Sequence, residues 1–271
     1  KIFNEPVEIS DENTNSGLAD LEGDIEFKNV SFRYGDNLPW VLKNINIKIK
    51  KGETVAFVGS TGVGKTSLIN LLPRLYDVTE GSVKIDGHDV REIPLDVLRK
   101  KIGLVPQENF LFSDTLANNI LYGLNDGAEE IVNKVSGIAQ LSKDVATFPA
   151  GYDTILGERG LTLSGGQKQR STLARALAID PKILILDDSF SAVDTNTEEG
   201  ILKNLKNFMK ERTSIIISHR VSTVKDSDKI FVLDQGGVVE EGTHEELVEK
   251  NGIYAGLHMR QLLEKELLEM N

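Results

Sequence analysis

The amino-acid sequence predicts an α/β fold: a parallel core sheet, an antiparallel β subdomain beside it and an inserted α-helical subdomain. Three observations carry this. Continuous apolar runs such as Ile183-Leu184-Ile185-Leu186 and Ile215-Ile216-Ile217 suit strands buried on both faces. Earlier segments alternate apolar and polar residues, as in Asn44-Ile45-Asn46-Ile47-Lys48-Ile49, the pattern of a half-exposed antiparallel sheet. Between about Ser113 and Ala178 the strand pattern stops, and Ile131, Val135, Ile138 and Leu141 recur about one helical turn apart.

In chain order, residues 1–21 are rich in Asn, Asp, Glu and Ser and read as a linker or arm. Strands are expected over Ile25–Tyr34, Val41–Ile49, Thr54–Val58, Ser82–Ile85 and Ile102–Val105. After the helical block they resume over Ile183–Asp187, Thr213–Ser218, Lys229–Leu233 and Val238–Glu240. Glu245–Met270 is helical again, and Leu247, Leu257, Leu262, Leu263 and Leu267 suggest a docked amphipathic tail.

A chain of 271 residues can bury a substantial core. It has no cysteine, which excludes disulfides and thiolate metal sites and is compatible with a reducing cytosol. A net charge of −11 opposes broad nucleic-acid binding, which needs a basic face. The apolar runs are far shorter than the roughly 20 residues that span a bilayer. The polar, acidic start does not resemble a signal peptide. The first residue is Lys1 rather than Met, which suggests a piece of a longer protein.

Gly59-Ser60-Thr61-Gly62-Val63-Gly64-Lys65-Thr66 has the spacing of a phosphate-binding loop, with apolar Val55–Val58 before it and helix-like Ser67–Leu72 after it. Glycines let backbone N–H groups curl around phosphate oxygens, and a helix N-terminus adds partial positive charge. Lys65 supplies a full charge toward the β- and γ-phosphates, and the Thr66 hydroxyl can ligate Mg²⁺. A local positive field of this kind lets an acidic protein hold a polyanion such as ATP. Asp187 ends the buried run Ile183–Leu186, where a carboxylate faces the crevice of an open α/β sheet and can hold the metal. Asp188 follows it and is the candidate base or water-positioning group.

Any P-loop NTPase could carry these features. Leu163-Ser164-Gly165-Gly166-Gln167, 20 residues before Asp187, narrows the field. With it the chain resembles the nucleotide-binding domain of ABC transporters, from about Ile25 to Leu257. The resemblance implies a RecA-like P-loop core over residues 22–257, a helical subdomain over about 108–178, and a C-terminal helical tail over 258–271. Residues 1–21 would lead from a preceding transmembrane domain. It implies nucleotide contacts from Gly59 through Thr66 and from Ser67, and a signature segment Ser164-Gly165-Gly166-Gln167 that caps ATP held by a second domain's phosphate loop. An ordinary helix N-cap would also use Ser-Gly-Gly. Tyr34 resembles the aromatic that stacks on adenine, with Val41 nearby. Gln107 resembles the residue that senses Mg²⁺ and the γ-phosphate. Asp194, in Ser191-Ala192-Val193-Asp194, belongs to the loop between the two ATP sites. His219 resembles the switch histidine on the γ-phosphate.

Gly157-Glu158-Arg159-Gly160 resembles a segment typical of exporters, which implies an integral membrane transporter of multidrug or lipid type with this domain at the cytoplasmic face. The family usually carries Glu where this chain has Asp188. Asp is one methylene shorter, so its carboxylate is drawn back by ~1.5 Å, and a misplacement near 1 Å costs on the order of 10²-fold in rate. Some similar exporters are heterodimers, in which the Asp-bearing chain keeps an intact signature and its partner supplies the Glu. Heterodimerisation with a different chain is therefore expected. The alternatives are an ATP-binding regulatory half with negligible turnover, or a soluble ABC-type ATPase. The latter is opposed by the charge and by the lack of a coiled-coil insertion or tandem domain. A GTPase is opposed by the missing Asn-Lys-x-Asp motif.

Overall fold

A computed structural model describes residues 9–12, 14, 15, 17–124 and 129–269, without the side chains of 265, 268 and 269. Residues 1–8 of the expected arm, and Met270, lie outside the described residues.

Two sheets form the body. A four-stranded antiparallel sheet runs in the order β2 (Leu42–Ile49), β1 (Ile25–Phe32), β4 (Glu80–Ile85), β5 (His88–Asp89). Alternation decides its burial: along β2, Leu42, Ile45, Ile47 and Ile49 point inward while Lys48 and Asn46 are exposed. The two-residue β5 was not anticipated. Its signal was Asp86-Gly87, both at positive φ (52° and 81°), the type I′ hairpin turn.

The core sheet has six strands in the order β10 (Gly237–Gly242), β9 (Lys229–Asp234), β3 (Thr54–Val58), β8 (Thr213–Ile217), β7 (Ile183–Asp187), β6 (Ile102–Val105). All are parallel except β10, which folds back on β9. The continuous apolar runs divide by period two. Val55, Phe57, Ile183, Ile185, Ile215 and Ile217 face the antiparallel sheet, α1 (Lys65–Asn70) and α2 (Leu95–Lys100). Ala56, Val58, Leu184, Leu186, Ile216 and Val232 face the helical layer.

That layer contains α3 (Leu116–Leu121), α4 (Glu129–Ile138), α5 (Ser142–Val145), α6 (Gly165–Ala178) and α7 (Thr195–Met209). After β8 comes α8 (Val221–Val224), and the chain ends in α9 (His244–Glu249) and α10 (Ile253–Glu269).

The described part of the arm packs on the body: Leu21 is buried, the Asp11 carboxylate accepts from Leu95 N–H at 2.9 Å, and Arg74 donates to the Ser10 carbonyl at 3.1 Å. One expectation needs correction: the tail is not one docked amphipathic helix. It breaks between α9 and α10, and the expected boundary at 257/258 falls inside α10. Leu247 and Leu257 pack on the core, but Leu262, Leu263 and Leu267 are about half exposed or more, at 44%, 53% and 63%. Burial at the start of α10 comes from Tyr254, whose hydroxyl meets His244 Nδ1 at 2.8 Å. Burial pushes the Tyr254 phenol up to about 12.

Candidate functional site

Four adjacent parallel strands, β3, β8, β7 and β6, deliver their C-terminal ends to one cleft. The glycine loop follows β3, His219 follows β8, Asp187 and Asp188 end β7, and Gln107 follows β6. Crevices of open α/β sheets lie at this edge. The cleft has a volume of about 260 Å³, and Lys65, Thr66, Gln107, Asp187, Asp188 and His219 all line it. Tyr34, Val41, Thr61, Gly62, Gly64, Ser67 and Ile217 complete its wall.

The loop's shape follows from its glycines. Gly59 has φ 148°, and a Cβ there would lie 2.3 Å from the Leu233 carbonyl oxygen. Only glycine lets the loop pass this close to β9. Gly64 caps α1 without a side-chain bond, so no side chain caps the first-turn N–H groups of that helix. Buried Lys65 donates from Nζ to the carbonyls of Gly59 (2.8 Å) and Ser60 (3.0 Å), which holds its charge over the loop.

Thr66 Oγ1 donates to Asp187 Oδ2 at 2.8 Å. Burial pushes the Asp187 carboxyl above its ordinary range; the bond from Thr66 opposes this and the charge of Asp188 adds to it. Burial likewise pushes the Lys65 ammonium down, against the attraction of Asp187 and Asp188. Both shifts have one sense: the cleft disfavours uncompensated charge, and a polyphosphate with a divalent cation would supply the compensation. The donor set fits Mg²⁺, since Thr66, Asp187 and Gln107 offer hard oxygens and the cation keeps its remaining positions for phosphate and water. Among the described residues there is no cluster of three or more His, Cys, Asp or Glu that would form an all-protein metal cage.

Asp188 sits in the left-handed region, φ 46°, with its N–H donating to the Ile217 carbonyl at 2.9 Å. Tyr34 is half exposed at the cleft mouth. Its hydroxyl lies 2.8 Å from Ser67 Oγ, and its ring meets Phe32 and Tyr76 edge-on.

The signature segment is elsewhere. None of Ser164, Gly165, Gly166, Gln167 or Asp194 lines the cleft. Ser164 is the exposed N-cap of α6 in a capping box: its Oγ accepts from Gln167 N–H (3.3 Å), and Gln167 Oε1 accepts from Ser164 N–H (3.0 Å). Gln167 Nε2 donates to Asp144 Oδ1 at 3.0 Å, so its amide is engaged within the chain at both ends. A Cβ on Gly166 would lie 2.9 Å from the Ala192 carbonyl oxygen, which shows how closely α6 presses on the 191–194 loop. Asp194 caps α7 by accepting from Thr197 N–H at 3.0 Å.

The family model for ABC transporters matches residues 42–191. The chain belongs to the ABC transporter family. A relative from Staphylococcus aureus (strain bovine RF122 / ET3-1), named as a multidrug export ATP-binding/permease protein, is 48% identical over 242 residues. The match covers 89% of this chain and 42% of the relative. The equivalent protein of strain NCTC 8325 / PS 47 has the same identity and coverage. A solved bacterial Atm1-family ABC exporter with ATP bound superposes with a TM-score of 0.92 at 39% identity, over 96% of this chain and 46% of that one. The chain thus spans less than half the length of these relatives. It is the nucleotide-binding ATPase domain of an ABC transporter, with the mixed α/β P-loop fold expected from its motifs. No helix among the described residues of this ABC domain is long and apolar enough to cross a membrane.

Sequence reading missed the side chains that hold the site's loops. Buried Gln169 on α6 donates to Ser191 Oγ (2.9 Å) and accepts from Ala192 N–H (3.0 Å). Buried Glu198 on α7 pairs with Arg220 and accepts from the Thr223 hydroxyl at 2.6 Å. These contacts are distant in sequence and follow no fixed spacing from the motifs.

Proposed function

We propose that this ABC domain is the ATP-hydrolysing motor of an exporter, which closes head to tail with a second nucleotide-binding domain when ATP binds. The observation that carries this reading is the separation within one chain. The cleft gathers Lys65, Thr66, Asp187, Asp188, Gln107 and His219, while Ser164 and Gly165 stand exposed outside it. A signature that cannot reach its own cleft can still cap another chain's.

In the proposed reaction Tyr34 and Val41 hold adenine, and the loop N–H groups and Lys65 hold the phosphates. Thr66, Asp187 and Gln107 would hold Mg²⁺, which would supply charge neutralisation to the bound phosphates. Asp188 orients a water for in-line attack on the γ-phosphorus and takes up its proton, as the bond to the ADP oxygen breaks. His219 steadies the γ-phosphate. The first-turn N–H groups of the partner's signature helix face the same phosphate.

A membrane-domain partner is supported by one exposed apolar region. Ile155 (69% exposed) bridges Thr115, and Leu161 (76%) follows Gly160, which packs on Leu111. Phe110, Phe112 and Tyr122 form an aromatic row around Leu111, tied to α6 by Arg175. Glu158 is exposed in the same turn region. In this reading the domain lies at the cytoplasmic face of a membrane, with its partner domain on a different chain.

The test uses the full-length polypeptide in inside-out vesicles. ATP-driven accumulation of amphiphilic cations, abolished by Lys65→Ala, is expected; accumulation that survives Lys65→Ala sinks the proposal. Asp188 also favours a second reading, a regulatory half that binds ATP without turning it over. Steady-state phosphate release from the assembled pair separates the two, because the regulatory half alone gives none that depends on its own Asp188.

A further inference from the structure

We propose that Gln261, on the C-terminal helix α10, is a positioning residue for the loop that carries His219. Its side-chain amide bridges two backbone groups of that loop. Oε1 accepts the Val221 N–H at 2.8 Å, and Nε2 donates to the His219 carbonyl at 2.5 Å. One amide thus engages the peptide units on both sides of Arg220, across 42 residues of sequence from His219.

The loop needs such a partner. α8 begins at Val221, and its N-cap, Arg220, makes no side-chain cap bond. The first N–H of a helix has no intrahelical acceptor, and here Gln261 supplies one. The loop is also held from α7. The Ser218 hydroxyl accepts from Arg220 N–H at 3.0 Å, and Glu198 of α7 holds the side chains of Arg220 and Thr223. Gln261 is the side chain that bonds the His219 carbonyl itself.

α10 is the weaker of the two holds. Tyr254 and Leu257 anchor its start, whereas Met259, Leu262 and Leu263 are exposed around Gln261. Undocking this helix removes both Gln261 bonds at once and frees His219 to leave the cleft. The C-terminal helix, which contributes no residue to the cleft, thereby governs the geometry of one that does. The proposal rests on the reading that His219 contacts the γ-phosphate.

The experiment measures three quantities in the full-length polypeptide: steady-state ATP hydrolysis, affinity for the β,γ-imido analogue of ATP, and affinity for ADP. Gln261→Met keeps the length and loses both bonds. It is expected to slow hydrolysis at this chain's own phosphate loop about 10-fold, within the cost of misplacing a group by less than 1 Å. It should weaken the imido analogue about fivefold, the scale of one hydrogen bond, with ADP affinity unchanged. Gln261→Glu keeps the Val221 bond but sets a carboxylate against the His219 carbonyl, and it should give the same selective loss at intermediate size. It also keeps the test open should the methionine variant fold poorly. His219→Ala should show the same selectivity, and the His219→Ala, Gln261→Met double variant should lose no more than His219→Ala alone. Losses that multiply in the double variant overturn the proposal, as does a Gln261→Met protein that matches wild type while His219→Ala is impaired. If His219→Ala itself binds the imido analogue normally, the reading of His219 fails, and the role of Gln261 with it.

Discussion

At the residue scale, the proposed reaction turns on Asp188. Its left-handed φ of 46° is a conformation that Asp tolerates better than longer side chains. Its N–H bond to Ile217 ties the backbone there to β8. Asp188→Glu therefore has two opposed effects. The longer side chain carries its carboxylate ~1.5 Å further into the cleft, and hydrolysis at this loop should rise by up to about 10²-fold. The backbone strain should lower the unfolding free energy by no more than about 1 kcal/mol. Phosphate release and a urea titration on the same protein check both; unchanged release would mean that carboxylate reach does not limit turnover. Gly59 makes the complementary point about close approach. Because a Cβ would lie 2.3 Å from the Leu233 carbonyl, Gly59→Ala must displace the loop from β9. A loss of about 1–3 kcal/mol is expected, together with a loss of ATP binding measurable by calorimetry. Unchanged affinity would show that the loop tolerates this displacement.

At the element scale, α6 is held by partly buried charges. Arg170 donates to both Asp144 oxygens, at 2.5 and 3.2 Å, and to the Gln140 carbonyl at 2.7 Å, while Gln167 completes the Asp144 shell. Burial raises the Asp144 carboxyl, but the bonds from Arg170 and Gln167 outweigh it, and the group sits below its ordinary value of 3.8. A depressed carboxylate stabilises the fold above its unfolded pKa, and that contribution disappears as pH falls through the folded one. Asp144→Asn should thus cost about 2 kcal/mol from pH 5 to 8, and its gap to wild type should begin to narrow as the pH falls below about 4. Denaturation at several pH values checks this; a gap independent of pH would mean that charge plays no part. None of this was visible in the sequence, because Asp144 lies 26 residues from Arg170 in the short helix α5, which carries no motif. What was legible has a local physical code. The both-face burial of β7 and β8 appeared as unbroken apolar runs, the half-exposure of β2 as alternation, and the phosphate loop as glycines between strand and helix. The tail misled because its leucines recur at helical spacing whether or not anything covers them. Leu262 and Leu263 are exposed in this chain, while Leu247, Tyr254 and Leu257 find the core. Gln261 was illegible for the reason Asp144 was: its partners are backbone groups that tertiary folding brings to it.

At the scale of the whole molecule, the proposed head-to-tail closure makes the single chain half of a machine with two sites. If two such chains paired with each other, each site would combine one Asp188 with one Ser164, and damage to either residue would silence both sites alike. If the partner is a different chain carrying Glu at the corresponding position, the two kinds of damage part company. This chain's Ser164 then caps the partner's fast site, while its Asp188 serves only its own slow one. Ser164→Arg replaces a small exposed N-cap with a bulky charge at the face that would meet the partner's ATP. The lost cap should cost about 1 kcal/mol of stability, too little to unfold a domain of this size. Asp188→Asn keeps the shape and the tolerance for positive φ but removes the charge. In the assembled full-length transporter, Ser164→Arg should reduce total hydrolysis at least about 10-fold, the scale expected when a transition-state contact is removed. Asp188→Asn should reduce it less than about twofold, because a site already slowed on the order of 10²-fold contributes little to the total. Equal losses from the two variants would establish equivalent sites and rule out the asymmetric pair. A severe loss from Asp188→Asn alone would place the fast reaction at this chain's own phosphate loop, with Asp188 as a competent base despite its shorter reach.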